Sequence, residues 1–292
     1  MKRIITGLAL ATAATLVAAA PAQAAPRTDP LTAVKKQFVA GKGVRFSERS
    51  NLGNGKVNVV FVRRTGAYQF SGSGVAASDA TSKFNPAILA VAEESEEDSE
   101  VVKVLKTPER IVSVRGTTYA SGGLFSQLLP EGKTWYKLGR IPFSGYTGIY
   151  GQPLNITEPA TLRALLKGAK PVSGGYAGKI TVGSLRKISP SLRGNMMLGL
   201  PSKKTAKVAL SWKLTVNAKG LPTRLVTKYP LDAIEPGLKA TISVDTRFTG
   251  WGTRVSIAAP PADQVTSELK DSEGTDENGL PSVELPLGRI AQ

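Results

Sequence analysis

Ser184 and Lys187 stand at the Ser-x-x-Lys spacing with which a lysine amine can activate a serine hydroxyl for acyl transfer. The Ser-Asp-Asn and Lys-Thr-Gly elements that complete such a site are missing. Ser82-Lys83 and Ser202-Lys203-Lys204-Thr205 lack the spacing altogether. The chain has no histidine and no cysteine, so Ser-His-Asp triads, thiolate nucleophiles and zinc or iron–sulfur ligation are out of reach. Carboxylate, Ser/Lys or Tyr chemistry is left, or none. The sparse acids of the central chain offer no pair for glycoside hydrolysis. Glu93, Glu94, Glu96 and Glu97 lack the Asp/Asn-Gly spacing of a calcium loop and read as a solvated segment. Gly53-Asn54-Gly55 and Gly174-Gly175 read as turns, not phosphate loops. The residues therefore point to a non-enzymatic protein with no metal and no cofactor.

The strands are the elements that must carry any binding site. From Lys207 to Val265 the alternation is almost unbroken. Val208, Leu210, Trp212, Leu214 and Val216 fall on one face, and Lys207, Ala209, Ser211, Lys213 and Thr215 on the other. Asn217-Ala218-Lys219-Gly220 turns the chain back. Leu238, Ala240, Ile242, Val244 and Phe248 then repeat the pattern. A one-sided antiparallel sheet must cover its apolar face with helices, a ligand or both. Earlier strands are expected between Val44 and Ser71, with Arg63-Arg64-Thr65-Gly66 as a turn, and from Arg110 to Ala120, turning at Arg115-Gly116. Helices are expected after Asp29-Pro30, over Phe84 to Ala92, at Leu124–Leu129, after Thr157-Glu158-Pro159, and over Ser184–Ile188 and Pro190–Leu198.

The N-terminus reads as a secretory signal peptide over 1–24: Lys2 and Arg3, an apolar run from Ile4 to Ala20, then Pro21-Ala22-Gln23-Ala24 as a small-residue cleavage site. This predicts a protein secreted into the extracellular or cell-envelope space, with no transmembrane anchor.

Several segments carry a family resemblance. Leu214-Thr215-Val216-Asn217-Ala218-Lys219-Gly220-Leu221-Pro222-Thr223-Arg224 resembles the Gly-Leu-Pro hairpin of the LppX/LprAFG lipoprotein family of actinobacteria. Phe248-Thr249-Gly250-Trp251-Gly252 and Ala258 to Val265 resemble its closing strand. Lys133 to Leu138 resembles its Trp-Tyr strand, and Glu158 to Leu166 a helix of its secreted relatives. The resemblance implies an α+β fold: a curved antiparallel β-sheet, a LolA-like half-barrel, with helices packed on its concave face. It also implies an apolar cavity that holds the acyl chains of a lipid or lipoglycan. The family is tethered through an acylated cysteine at the cleavage site. Here that position is Ala25, so no such anchor can form.

On this reading 25–265 is a single domain and 266–292 an acidic, disordered tail. The cavity candidates are Trp212, Leu214, Ile242 and Val244 on the sheet, with Leu128, Leu165, Met196 and Met197 on the helices. Burying a 16-carbon chain would gain on the order of 10 kcal/mol before ordering costs, so such a pocket needs no polar motif. Charge supports an alternative. The net charge is +16, and between Val101 and Ala262 there are 24 Lys/Arg against six Asp/Glu. A basic exported protein meets anionic envelope surfaces rather than nucleic acid. The alternative is therefore an envelope-associated module with a filled core that adheres to anionic cell-surface polymers.

Overall fold

The computed structural model describes residues 28–54, 58–93, 105–140, 145, 147–195, 202–233, 237 and 239–270. The expected signal segment, most of the acidic run, Met196 and Met197 lie outside them. Within them the period-2 alternation of the sequence becomes strands with one buried face. These are β1 (Lys42–Gly53), β2 (Asn58–Ser71), β3 (Gly74–Phe84), β4 (Glu109–Val114), β5 (Thr117–Ser121) and β6 (Trp135–Gly139), then β7 (Lys170–Val172), β8 (Gly175–Thr181), β9 (Ala209–Val216), β10 (Pro222–Pro230), β11 (Thr241–Arg254) and β12 (Val265–Thr266). They form one open sheet of 12 strands in the order β12-β6-β5-β4-β3-β2-β1-β11-β10-β9-β8-β7. Every pairing is antiparallel except β12 beside β6.

The fold is thus the expected curved, open antiparallel half-barrel with helices on its inner face. It consists of two meanders. Strands β1 to β6 form an N-terminal one, β7 to β11 a C-terminal one, and the β1–β11 pairing joins them edge to edge.

Short helices accompany the sheet, among them α1 (Pro30–Lys35), α2 (Pro86–Glu93), α3 (Phe125–Leu128), α4 (Pro159–Lys167), α5 (Val182–Ile188) and α6 (Pro190–Arg193). The Asp29 side chain caps α1 by accepting from the Thr32 amide at 2.9 Å. Pro159 opens α4, whose Leu162 and Leu165 are buried. All but α3, whose Phe125 joins a second cluster with Ile111, Ala120 and Leu138, share one continuous core with Leu154, Ile156, Leu210, Trp212, Leu214, Leu225, Ile242 and Val244. Fully burying a side chain of this size contributes about 1.5–3 kcal/mol, so the C-terminal meander is the anchor of the fold.

Two expectations are corrected. The segment Arg63-Arg64-Thr65-Gly66 is no turn; it is the middle of β2, a strand of 14 residues. Gly66 is there for space: a Cβ on it would meet the Phe46 ring at 2.7 Å. The ordered chain also continues past 265. Val265–Thr266 pairs with β6, Leu269 packs beside Phe125 and Leu138, and the Lys270 amide donates to the Leu128 carbonyl at 2.8 Å. No helix among the described residues is long and apolar enough to cross a membrane.

Candidate functional site: a cleft on the inner face

The inner face changes character at the β1–β11 seam. On β9 to β11 it carries Leu210, Trp212, Leu214, Leu225, Tyr229, Ile242 and Val244, all buried. On β2 to β5 the same rows carry Gly66, Ser78, Ala80, Ser82, Ser113, Thr118 and Ala120. Of these, Ser78, Ala80 and Ser113 leave space that the helices do not fill, whereas the Phe46 ring covers Gly66 and Phe125 packs near Ala120. The result is a cleft of about 540 Å³. Tyr68, Ser78, Ala80, Ile111 and Ser113 form its sheet wall. Thr157, Glu158, Ile188 and Ser191 form the facing wall, and Val75 stands at its margin.

The facing wall is held by one carboxylate. Glu158 accepts from the Thr161 hydroxyl at 2.7 Å, the Ser189 hydroxyl at 2.7 Å and the Ser191 amide at 2.8 Å. It thereby ties the start of α4 to the α5–α6 junction. The wall is thus assembled from the ends of three short helices, fixed to one another through a single side chain.

At its inner end the cleft adjoins a smaller cavity of about 90 Å³, with Phe46, Arg64, Tyr68, Asn155 and Ser191 common to both. Beneath lies a buried ion pair. Arg64 Nη1 stands 3.0 Å from Glu48 Oε1, and the two side chains are 12 % and 2 % exposed. Glu48 Oε1 also accepts from the Gln152 amide at 3.1 Å, and Oε2 accepts from the Thr246 hydroxyl at 2.9 Å. Arg64 Nε donates to Ser82 Oγ at 3.1 Å. Both charges are therefore compensated by neighbours, as burial requires.

Gln152 extends this network across the seam. Its Nε2 donates to Thr246 Oγ1 at 3.1 Å, and its Oε1 accepts from Thr227 Oγ1 at 2.6 Å. Ser50 Oγ donates to the Tyr150 carbonyl nearby. The segment 148–154 is thus sewn onto β1, β10 and β11. Gly151 lets it lie close, because a Cβ there would overlap Arg64 Nη1.

Electrostatics follow from this packing. Burial would lower the Arg64 guanidinium, but the charge of Glu48, with Tyr68 and the Glu48 hydrogen bond, outweighs it and holds the group above its ordinary value. Burial pushes the Tyr68 phenol up to about 12; Arg64 opposes the shift, while Glu48 and Glu158 add to it. Burial raises Tyr229 as well. Its hydroxyl and Trp212 Nε1 have no hydrogen-bond partner among the described residues.

The cavity candidates read from sequence divide three ways. Trp212, Leu214, Ile242, Val244 and Leu165 meet in the main core, and none of them lines the cleft. Leu128 is half-buried at the far edge beside β12, away from that core. Met196 and Met197 are outside the described residues. Sequence reasoning missed Glu48, Arg64, Tyr68, Gln152 and Glu158. For the first two a signal existed: both are charges at inward-facing positions of alternating strands.

Ser184, at the Ser-x-x-Lys spacing, lies at the start of α5, where its amide and hydroxyl both meet Thr181 Oγ1. Among the described residues no three Asp or Glu side chains converge as a metal site would require.

No protein-family model matches this chain, and no curated protein matches it. Three solved structures are similar at low scores. A DUF1329 family protein from Desulfovibrio piger has 12 % identity and a TM-score of 0.30, covering 78 % of this chain and 96 % of its own. A hypothetical protein from Chlamydia trachomatis has 10 % identity and a TM-score of 0.30, covering 80 % and 98 %. A LolA superfamily protein from Nitrosomonas europaea has 7 % identity and a TM-score of 0.29, covering 75 % and 90 %. Likeness at this level carries no argument about residues or ligands. The fold stands on the strand pairing itself.

Proposed function

We propose that the protein is a secreted, non-enzymatic carrier that holds the acyl part of a lipid or lipoglycan in the inner-face cleft. The observation that carries this reading is the cleft itself. Its volume of about 540 Å³ lies in the range of small-ligand sites, and Tyr68, Ala80, Ile111 and Ile188 give it apolar walls. Arg64 is the cation on its wall and is already committed to Glu48. The polar contacts left are hydroxyls, an amide and the Glu158 carboxylate, which suit an uncharged ligand end. A charged headgroup would stay at the mouth or in solvent, since burying it here would leave it unpaired.

The test is to purify the chain from Ala25 to Gln292 from its native host, extract it with organic solvent and identify bound lipid by mass spectrometry. A stoichiometric lipid is expected. In the Ala80→Leu variant the added side chain fills the cleft, so lipid content should fall at least tenfold with an unchanged melting curve. A clean wild-type extract together with no uptake of added fatty acid or phospholipid would overturn the reading.

A further inference from the structure

The outer face of the same sheet carries a second site, of opposite chemistry. Strand alternation that turns Phe46, Glu48 and Ser50 inward turns Arg45, Ser47 and Arg49 outward, and all three are exposed. Register then stacks cations across strands. Arg49 pairs with Arg63, and Arg63 with Lys83. Like charges directly opposite one another destabilise a sheet, so this row has a cost in the free protein. Two acids stand among these cations, and each is already engaged. Asp245 accepts from Arg224 twice at 2.8 Å, and Asp79 accepts from Arg110 at 3.0 and 2.7 Å. Arg45, Arg49, Arg63 and Arg247 have no carboxylate partner among the described residues.

The surface is also grooved. One depression of about 280 Å³ lies between Arg49, Arg63 and Arg247, with Ser47, Thr65, the engaged Asp245 and the paired Glu48 and Arg64 completing its lining. A second, of about 340 Å³, lies between Arg45 and Arg110. They share Thr65, so together they make a track across β11, β1, β2, β3 and β4. Its cations are all arginine, whose planar fork matches phosphate oxygens in pairs. Hydroxyls between them add neutral donors. A bilayer plane cannot enter a groove, which disfavours a membrane as occupant. No aromatic side chain lines either depression, so the track lacks the aromatic platforms on which single-stranded nucleic acid stacks its bases.

From this we infer that the outer face binds an extended phosphodiester polymer without bases, such as a polyol-phosphate chain, along the Arg45–Arg49–Arg63–Arg247 track. The site lies on the opposite face of the sheet from the cleft, and the Glu48–Arg64 pair stands between the two.

Binding of synthetic poly(glycerol phosphate) to the purified protein, measured over a salt series, tests the inference. The R49S/R63S/R247S variant should bind at least tenfold more weakly. Its slope of log affinity against log salt should be shallower by about 2, at about 0.7 per lost phosphate contact. K167S/K203S/K207S removes the same charge away from the track and should stay within twofold of wild type. The single variant Arg63→Gln, with an expected slope change of about 0.7, serves if the triple variant is unstable. Equal losses in the two triple variants would show a response to net charge alone and overturn the assignment. So would absence of polymer binding, or equal or tighter binding of oligo(dT) or phosphatidylglycerol vesicles. Fatty-acid uptake by the cleft should be the same in every variant, which separates failure of this inference from failure of the carrier reading.

Discussion

The two meanders present the same ladder of backbone bonds and opposite inner surfaces. In the C-terminal one, Trp212, Leu214, Ile242 and Val244 meet α4 and α5 and leave no room. In the N-terminal one, Ser78, Ala80 and Ser113 leave a cleft, and a buried ion pair lies beneath it. The difference teaches that one half stabilises the sheet so that the other can stay unfilled. A cavity forgoes dispersion contacts and apolar burial, and the filled half supplies what it lacks.

The filled half should respond most to truncation. Trp212→Ala is expected to lower unfolding free energy by about 4 kcal/mol in urea titrations, with lipid content per folded molecule unchanged. A loss under about 1 kcal/mol would erase the contrast. Next comes the pair beneath the cleft. Arg64→Met leaves Glu48 buried without its charge partner and should cost about 3 kcal/mol. The double variant Glu48→Met/Arg64→Met should recover most of that loss, because it removes both desolvated charges. If the double variant is no better than the single, packing rather than charge governs the site.

The smallest effect is alkaline. The folded pKa of Tyr68 is raised to about 12, above its ordinary 10.0. Below pH 10 its contribution is fully present. Between about pH 10 and 12 the unfolded state releases the proton first, so stability falls by up to about 2 kcal/mol as pH rises. Tyr68→Phe should flatten this limb of a stability–pH profile. An identical limb in the variant would assign it to Tyr229 in the filled half.

What could be read in the sequence follows the same division. Large alternating side chains announce themselves, so β9 and β11 were legible, as were the Asp29 cap and the Pro159 helix start. The Arg115-Gly116 turn was also legible, with both residues at positive φ. The cleft was not, because it arises where bulk is missing, and small residues make no periodic signal. Arg63-Arg64-Thr65-Gly66 has turn composition, yet Gly66 serves the Phe46 ring instead. That misreading hid Arg64. Glu48 was readable in principle, in phase with Val44, Phe46 and Leu52. Gln152 and Glu158 had no local signal. Gln152 acts on strands 73 to 104 residues away, and Glu158 on a helix junction 31 to 33 residues away.

The seam between the meanders also sets an order of events. Its strands come from opposite ends of the domain, and the Thr246–Glu48 hydrogen bond spans 198 residues of chain. Each meander can zip locally, hairpin by hairpin. The central join must wait until nearly the whole domain has been made, which predicts slow closure governed by contact order. Until then the edges of β1 and β11 are open templates for pairing with other chains. The outward Arg45, Arg49 and Arg247 sit on those two edges, where repulsion between copies would guard the unfinished sheet.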